Sequence, residues 1–144
     1  MISFHVAGRP IPQGSMRPMV SASTGRPFVK QAPALAVWRA DVAEAARRAG
    51  CLPRQGRVKV NLVFSFARPK AHYGTGRNAG RLKDSAPESP INRATGDLDK
   101  LARAVLDALS QVAYEDDSQV VLLAAMKRFS EDAHVGATIT VSYL

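Results

Sequence analysis

The sequence predicts one domain of the mixed α/β (α+β) class, with a single mixed sheet of about four to five strands and two main helices. Three observations lead there. The chain has 144 residues, 46% of them hydrophobic, which is the length of one ordinary domain with enough apolar side chain for a core of its own. Apolar residues alternate with polar ones over 57–66 and 134–143, the pattern of half-buried strands. Over 33–50 and again from Leu101 to Val112 they recur at helical spacing. No internal repeat or low-complexity tract divides the chain.

Taken in order, Ile2, Phe4 and Val6 alternate as a strand that Gly8-Arg9-Pro10 ends. A long loop rich in Gly, Pro and Ser follows. It exposes Arg9, Arg17 and Arg26 to a phosphate backbone and holds a short strand at 27–30. Pro33 opens a helix whose apolar face is Leu35, Val37/Trp38, Val42 and Ala45/Ala46, and Gly50 stops it. Trp38 lies on that face, so it belongs to the core rather than to a base-stacking platform. Arg47 and Arg48 suit the negative end of the helix dipole. Val58, Val60, Leu62, Phe64 and Phe66 face inward from the clearest strand. From Arg68 to Arg93 no periodicity survives, and the segment exceeds the roughly 12–15 residues of ordinary structureless loops. Arg68, Lys70, Arg77, Arg81, Lys83 and Arg93 make it a mobile basic arm that orders on nucleic acid, with His72 a solvated loop residue. Residues 119–129 are apolar on both faces as far as Lys127, which predicts a central strand. A turn at Ser130-Glu131-Asp132 and the strand 134–143 then predict a hairpin.

Net charge is +8 and uneven: residues 1–96 carry 16 Lys/Arg against 4 Asp/Glu, and residues 97–144 carry 4 against 8. A basic surface beside an acidic cluster fits phosphate-backbone binding with cation-dependent chemistry. Cys51 is the single cysteine, which excludes an intrachain disulfide and agrees with a reducing compartment. The alternating N-terminus is not a signal peptide. The longest apolar run, the seven residues Val120 to Met126, falls far short of the ~20 of a membrane span. A cytoplasmic protein without a membrane partner is expected.

Six of the 12 acidic residues lie between Asp97 and Val120, and the pairs Asp97/Asp99 and Asp116/Asp117 flank one helix. On a helix Asp97 and Asp99 would point about 200° apart. In an extended lead-in, eased by Gly96, they lie on one side. Asp97 is therefore expected before the helix and Asp99 at or near its N-cap, where backbone N–H groups and the positive dipole end keep it ionised. Leu101, Val105, Ala108/Leu109 and Val112 form the buried stripe. Arg103, four residues after Asp99, reaches that carboxylate or a bound phosphate, and Asp107, four after Arg103, reads as a surface ion pair. Tyr114 to Gln119 delivers Asp116 and Asp117 to the next strand. Carboxylates converging from two elements suit a hard cation such as Mg²⁺, and a chain folding back on itself is expected to gather them.

The run D-L-D-K-L-A-R-A-V-L-D-A-L from Asp97, followed by Y-E-D-D-S-Q-V, resembles the signature of the RusA family of Holliday junction resolvases, common in phages and prophages. The opening G-R-P-I-P-Q-G-S is similar to phage members, so the resemblance covers most of the chain and is weakest between Arg68 and Arg93. It implies a homodimeric mixed α/β endonuclease that needs a divalent metal, Mg²⁺ or Mn²⁺ in its place. Its substrate would be branched DNA, a four-way junction cut symmetrically in recombination, repair or phage DNA processing. Carried over by residue, the catalytic carboxylates fall on Asp97, Asp99 and Asp117, with Asp116 beside them as a further metal ligand. The family's catalytic lysine falls on Arg103, a departure that keeps the cation but not a ready proton donor. Lys100, where the family often has Asn, joins Arg103 on the scissile phosphate, and Arg17, Arg68, Lys70, Arg77 and Arg93 hold the DNA. Two other classes fit the residues: a junction-binding module whose acids are structural, and a Mg²⁺-dependent nucleotide pyrophosphatase, which the extended basic surface argues against.

Overall fold

The computed structural model describes residues 1–14, 18–29, 33–130 and 134–144. Its elements run β1 (Ile2–Ala7), β2 (Pro18–Val20), β3 (Pro27–Val29), α1 (Pro33–Arg48), β4 (Val58–Ala67), α2 (Leu98–Leu109), β5 (Val120–Ser130) and β6 (Gly136–Tyr143). Four strands form a mixed sheet in the order β1-β6-β4-β5, and β2 and β3 form a separate antiparallel ribbon. The mixed α+β class and both helices are as the sequence predicts. The ribbon's first strand is additional, in a stretch too rich in turn residues to show a period.

The core lies between one face of the sheet and the two helices. Val58, Val60, Leu62, Phe64 and Phe66 of β4 and Ala137, Ile139 and Val141 of β6 are buried with Leu35, Trp38, Val42 and Ala46 of α1 and Leu101, Val105 and Leu109 of α2. Val37 is the exception on α1. It is 63% exposed, because Trp38 one residue on takes the inward position. The opposite face is polar over β1 and β6, where Ser3 bonds Thr140 and His5 bonds Thr138, and turns apolar on β5 at Leu122 and Met126 before Arg128 donates to Ser65.

Two expectations about β5 are corrected. It is an edge strand, parallel to β4, and it does not form a hairpin with β6, which lies on the other side of β4 and pairs with β1 and β4. A parallel pair needs a long crossover, and the segment from Arg68 through α2 supplies it. Apolarity on both faces signals that both faces are covered, not where the strand stands in the order. Within this chain the cover is missing, since Val121, Leu122, Leu123 and Met126 are 44–57% exposed.

The segment 68–93 has local structure of its own. Short 3-10 turns occupy Lys70–His72 and Gly76–Asn78, Tyr73 bridges Leu82, and Arg68 donates to Pro87 O at 2.8 Å. His72 is half-buried against Phe129 rather than solvated. Arg17, Lys30 and the Glu131-Asp132 turn lie outside the described residues. No helix among the described residues is long and apolar enough to cross a membrane.

Candidate active site

The turn that leads into α2 is held from three directions. Asn92 accepts from Thr95 N–H through its side chain, and the Thr95 hydroxyl donates back to Asn92 O at 2.9 Å, closing the 3-10 turn Arg93–Thr95. Gly96 then takes φ +83, and a Cβ there would meet Pro12 Cγ at 2.8 Å, so both the backbone angle and the closeness of the N-terminal loop select glycine. Arg9 donates to Ala94 O. From β5, Lys127 Nζ donates to Gly96 O at 2.8 Å and to Thr95 Oγ1 at 3.2 Å. The opening motif and β5 therefore position the residue that follows, Asp97.

Asp97 is itself the N-cap of α2, with extended backbone (φ −76, ψ 137), and Asp99 stands in the first helical turn. The expected order is kept, with Asp99 two residues past the N-cap, as the second residue of the helix. Both carboxylates are exposed at the N-terminal end of α2. Lys100 Nζ lies 3.3 Å from Asp97 Oδ2. Such a partly exposed pair contributes little and yields to a stronger ligand. Arg103 is exposed, and among the described residues no ion pair joins it to Asp99 or Asp107. The surface pair expected for Asp107 is absent because solvated charges at that spacing gain only a few tenths of a kcal/mol.

Asp116 and Asp117 lie beyond the other end of α2, whose 12 residues extend over about 18 Å. Asp116 caps the turn Asp117–Gln119. Its carboxylate accepts from Ser118 N–H, and Gln119 Oε1 accepts from Asp116 N–H at 3.0 Å. Hydrogen bonds from Ser118 side chain and backbone hold the Asp116 carboxyl below its ordinary range. Gln119 also donates to Arg54 O and Gly56 O, anchoring the turn where β5 begins. Asp117 is exposed beside it. Burial pushes the Tyr114 phenol up, with the negative charges of Asp117, Asp107 and Asp116 adding to the effect, so the hydroxyl stays protonated and donates to Leu106 O at 2.7 Å. Among the described residues no three His, Cys, Asp or Glu side chains gather as a metal site. Within one copy the two acidic pairs remain apart, against the expectation that the chain folds them together, because α2 and β5 are rigid elements lying between them.

The basic residues divide. Arg93, Lys70 and Arg77 are exposed, with Arg93 at the start of the turn that leads to Asp97. Arg68 is committed inside the protein: it donates to Pro87 O, and its guanidinium sits 4.1 Å from the Phe129 ring centroid. It shapes the loop rather than offering an open phosphate contact. Lys127 is the site residue that sequence reasoning missed, and Arg9, read as an exposed contact for a phosphate backbone, donates to Ala94 O. Periodicity marked Lys127 only as the end of an apolar run, and no local signal pairs it with residues 31 and 32 positions earlier.

The family described as Endodeoxyribonuclease RusA matches residues 8–141. The uncharacterized protein YqaN of Bacillus subtilis (strain 168) is 29% identical over 140 residues, which span 96% of this chain and 94% of that protein. The family match takes in both acidic pairs, α2 and β5.

Proposed function

We propose, since the chain belongs to the RusA family of endodeoxyribonucleases, that it is a homodimeric, Mg²⁺-dependent nuclease of the cytoplasm that cuts four-way DNA junctions from two sites, each built from both copies. One observation carries this reading. The acids are split between the two ends of α2, while β5, which runs from one pair toward the other, presents a free and apolar edge. Asp117 enters β5 at Val120, and Lys127, about 23 Å along the strand, touches the residue before Asp97. An antiparallel pairing of two β5 edges about a two-fold axis at Ala124 sets Val121 of one copy against Lys127 of the other. The second copy's Asp117 then approaches this copy's Asp97 and Asp99, and the exposed Val121, Leu122, Leu123 and Met126 are covered at the axis.

The donor set fits the metal, since three carboxylates are the hard oxygen ligands Mg²⁺ takes. Asp97 and Asp99 would hold it together with Asp117 of the second copy, while Asp116 stays a cap. When bound, Mg²⁺ or Mn²⁺ supplies an activated water and neutralises phosphate charge. Arg103, exposed on the same side as Asp99, and Lys100, released from Asp97, would bind the non-bridging oxygens, which carry the transition-state charge together with the leaving 3′ oxygen. Arg93, Lys70 and Arg77 hold flanking phosphates.

Mixing two inactive variants tests this. Asp97→Asn and Asp117→Asn should each fail to cut as homodimers. After joint refolding, the mixed dimer keeps one site with all three acids and should nick junctions. A mixture as inert as its components overturns the shared site, and a Mg²⁺-independent wild-type activity overturns the metal.

A further inference from the structure

The carboxyl ends of the parallel strands β4 and β5 meet the turn that leads into α2, and a cleft of about 260 Å³ opens there. Ligands of α/β sheets bind outside the carboxyl ends of such strands. Half-buried Phe129 supplies an aromatic wall beside its register partner Phe66, which is buried in the core, and Arg9, Asn92 and Thr95 bring the polar groups. The Phe129 ring is fixed from outside by the Arg68 guanidinium and by the edge of His72, whose centroid is 5.5 Å away. Asn92 commits its side-chain oxygen to Thr95 N–H, which leaves its NH₂ to donate. No carboxylate lines this cleft, in contrast to the larger one between β1 and α1, which carries Asp41 and Glu44.

We propose that this cleft receives a single unpaired nucleobase of the DNA, turned out of the stack at the branch beside the bond to be cut. The inference rests on the nuclease reading above and adds a base site to it. The volume is below the roughly 300 Å³ at which pockets for drug-sized ligands begin, so it suits one flat ring system and not a base pair. An aromatic wall stacks on any base, and a guanidinium with an amide NH₂ donates to ring nitrogens and carbonyls. Thr95 lies in the cleft wall and only Gly96 separates it from Asp97, so a nucleotide seated here sets the adjoining phosphate at the carboxylates. A base is extruded most easily where pairing is already interrupted, so the cleft selects branched over continuous duplex DNA.

The test uses Asp97→Asn protein, which should bind without cutting, and four-way junctions with 2-aminopurine at each position flanking the branch in turn. Fluorescence should brighten severalfold at one position, as the probe base leaves the stack. Ala94→Leu and Ala67→Leu, at exposed positions on the turn and on β4's end respectively, plug the cleft without disturbing the core. Combined with Asp97→Asn, each should abolish the brightening while thermal unfolding and salt-sensitive junction binding persist. Binding without brightening at any position, or brightening that survives in plugged variants, overturns the base site alone. Failure to bind any junction overturns the nuclease reading and the base site with it.

Discussion

Lys127 Nζ reaches across from β5 to donate to Gly96 O at 2.8 Å, so the edge strand and the turn that leads into α2 share one hydrogen-bonded cation. Replacing it with Met keeps the stem and removes both donors. Bonds to a charged group contribute about 1.5–3 kcal/mol, and the free energy of urea unfolding should fall by that amount. Junction cutting should fall further than stability does, because Asp97 is no longer positioned. Unchanged unfolding would show that the bond is dispensable.

Gly96→Ala combines strain at φ +83 with a clash against Pro12. Gly50→Ala, at φ +96 with nothing within 4 Å, carries strain alone. Strain of this kind costs about 1–2 kcal/mol. Gly96→Ala should therefore unfold at the lower denaturant concentration of the two, and only it should lose cutting activity. Equal destabilisation would remove the role of Pro12.

Met126→Lys and Leu122→Lys place charge on β5 at positions that are half exposed in the single copy, where a lysine stem keeps the remaining contact. In sedimentation each should shift the protein toward monomer, with an unchanged far-UV spectrum and no junction cutting. Continued cutting by a monomer would exclude a site shared between copies.

Asp116 and Asp117 separate by role. Asp116→Asn keeps a good N-cap and should cut at near the wild-type rate, whereas Asp117→Asn should not cut. Asp116→Ala should destabilise the fold in a pH-dependent way. Because the folded carboxyl is held below the ordinary value of 3.8, its contribution is full above that pH and fades as pH falls through the lowered value. A loss of stability independent of pH would assign the effect to something other than the ionised cap.

Arg103 is exposed and makes no ion pair among the described residues, so Arg103→Ala should leave thermal unfolding unchanged. Cutting should drop by about 100-fold, the usual cost of removing one donor to developing charge. Arg103→Lys should restore most of it, since an ammonium also binds a phosphate oxygen. A stable Arg103→Ala protein with full activity would take this residue out of the site.

The residues alone determined whatever depends on neighbours in sequence. The alternation in β4 and β6, the apolar stripe of α2, the placement of Asp97 before that helix and the glycine preceding it all follow from periods of 2 and 3.6 and from backbone sterics. These are short-range properties, and each appears in the fold where the pattern put it. The tertiary structure decided what depends on strand order and on contacts between distant segments. An apolar run such as 120–126 has the same composition whether it lies mid-sheet between strands or at the sheet's edge, so β5 read as central. The same limit hid the partners of Lys127 and Arg9, which stand far away in sequence. It also made the two acidic pairs look like one cluster, when the helix between them, with its fixed rise per residue, holds them apart.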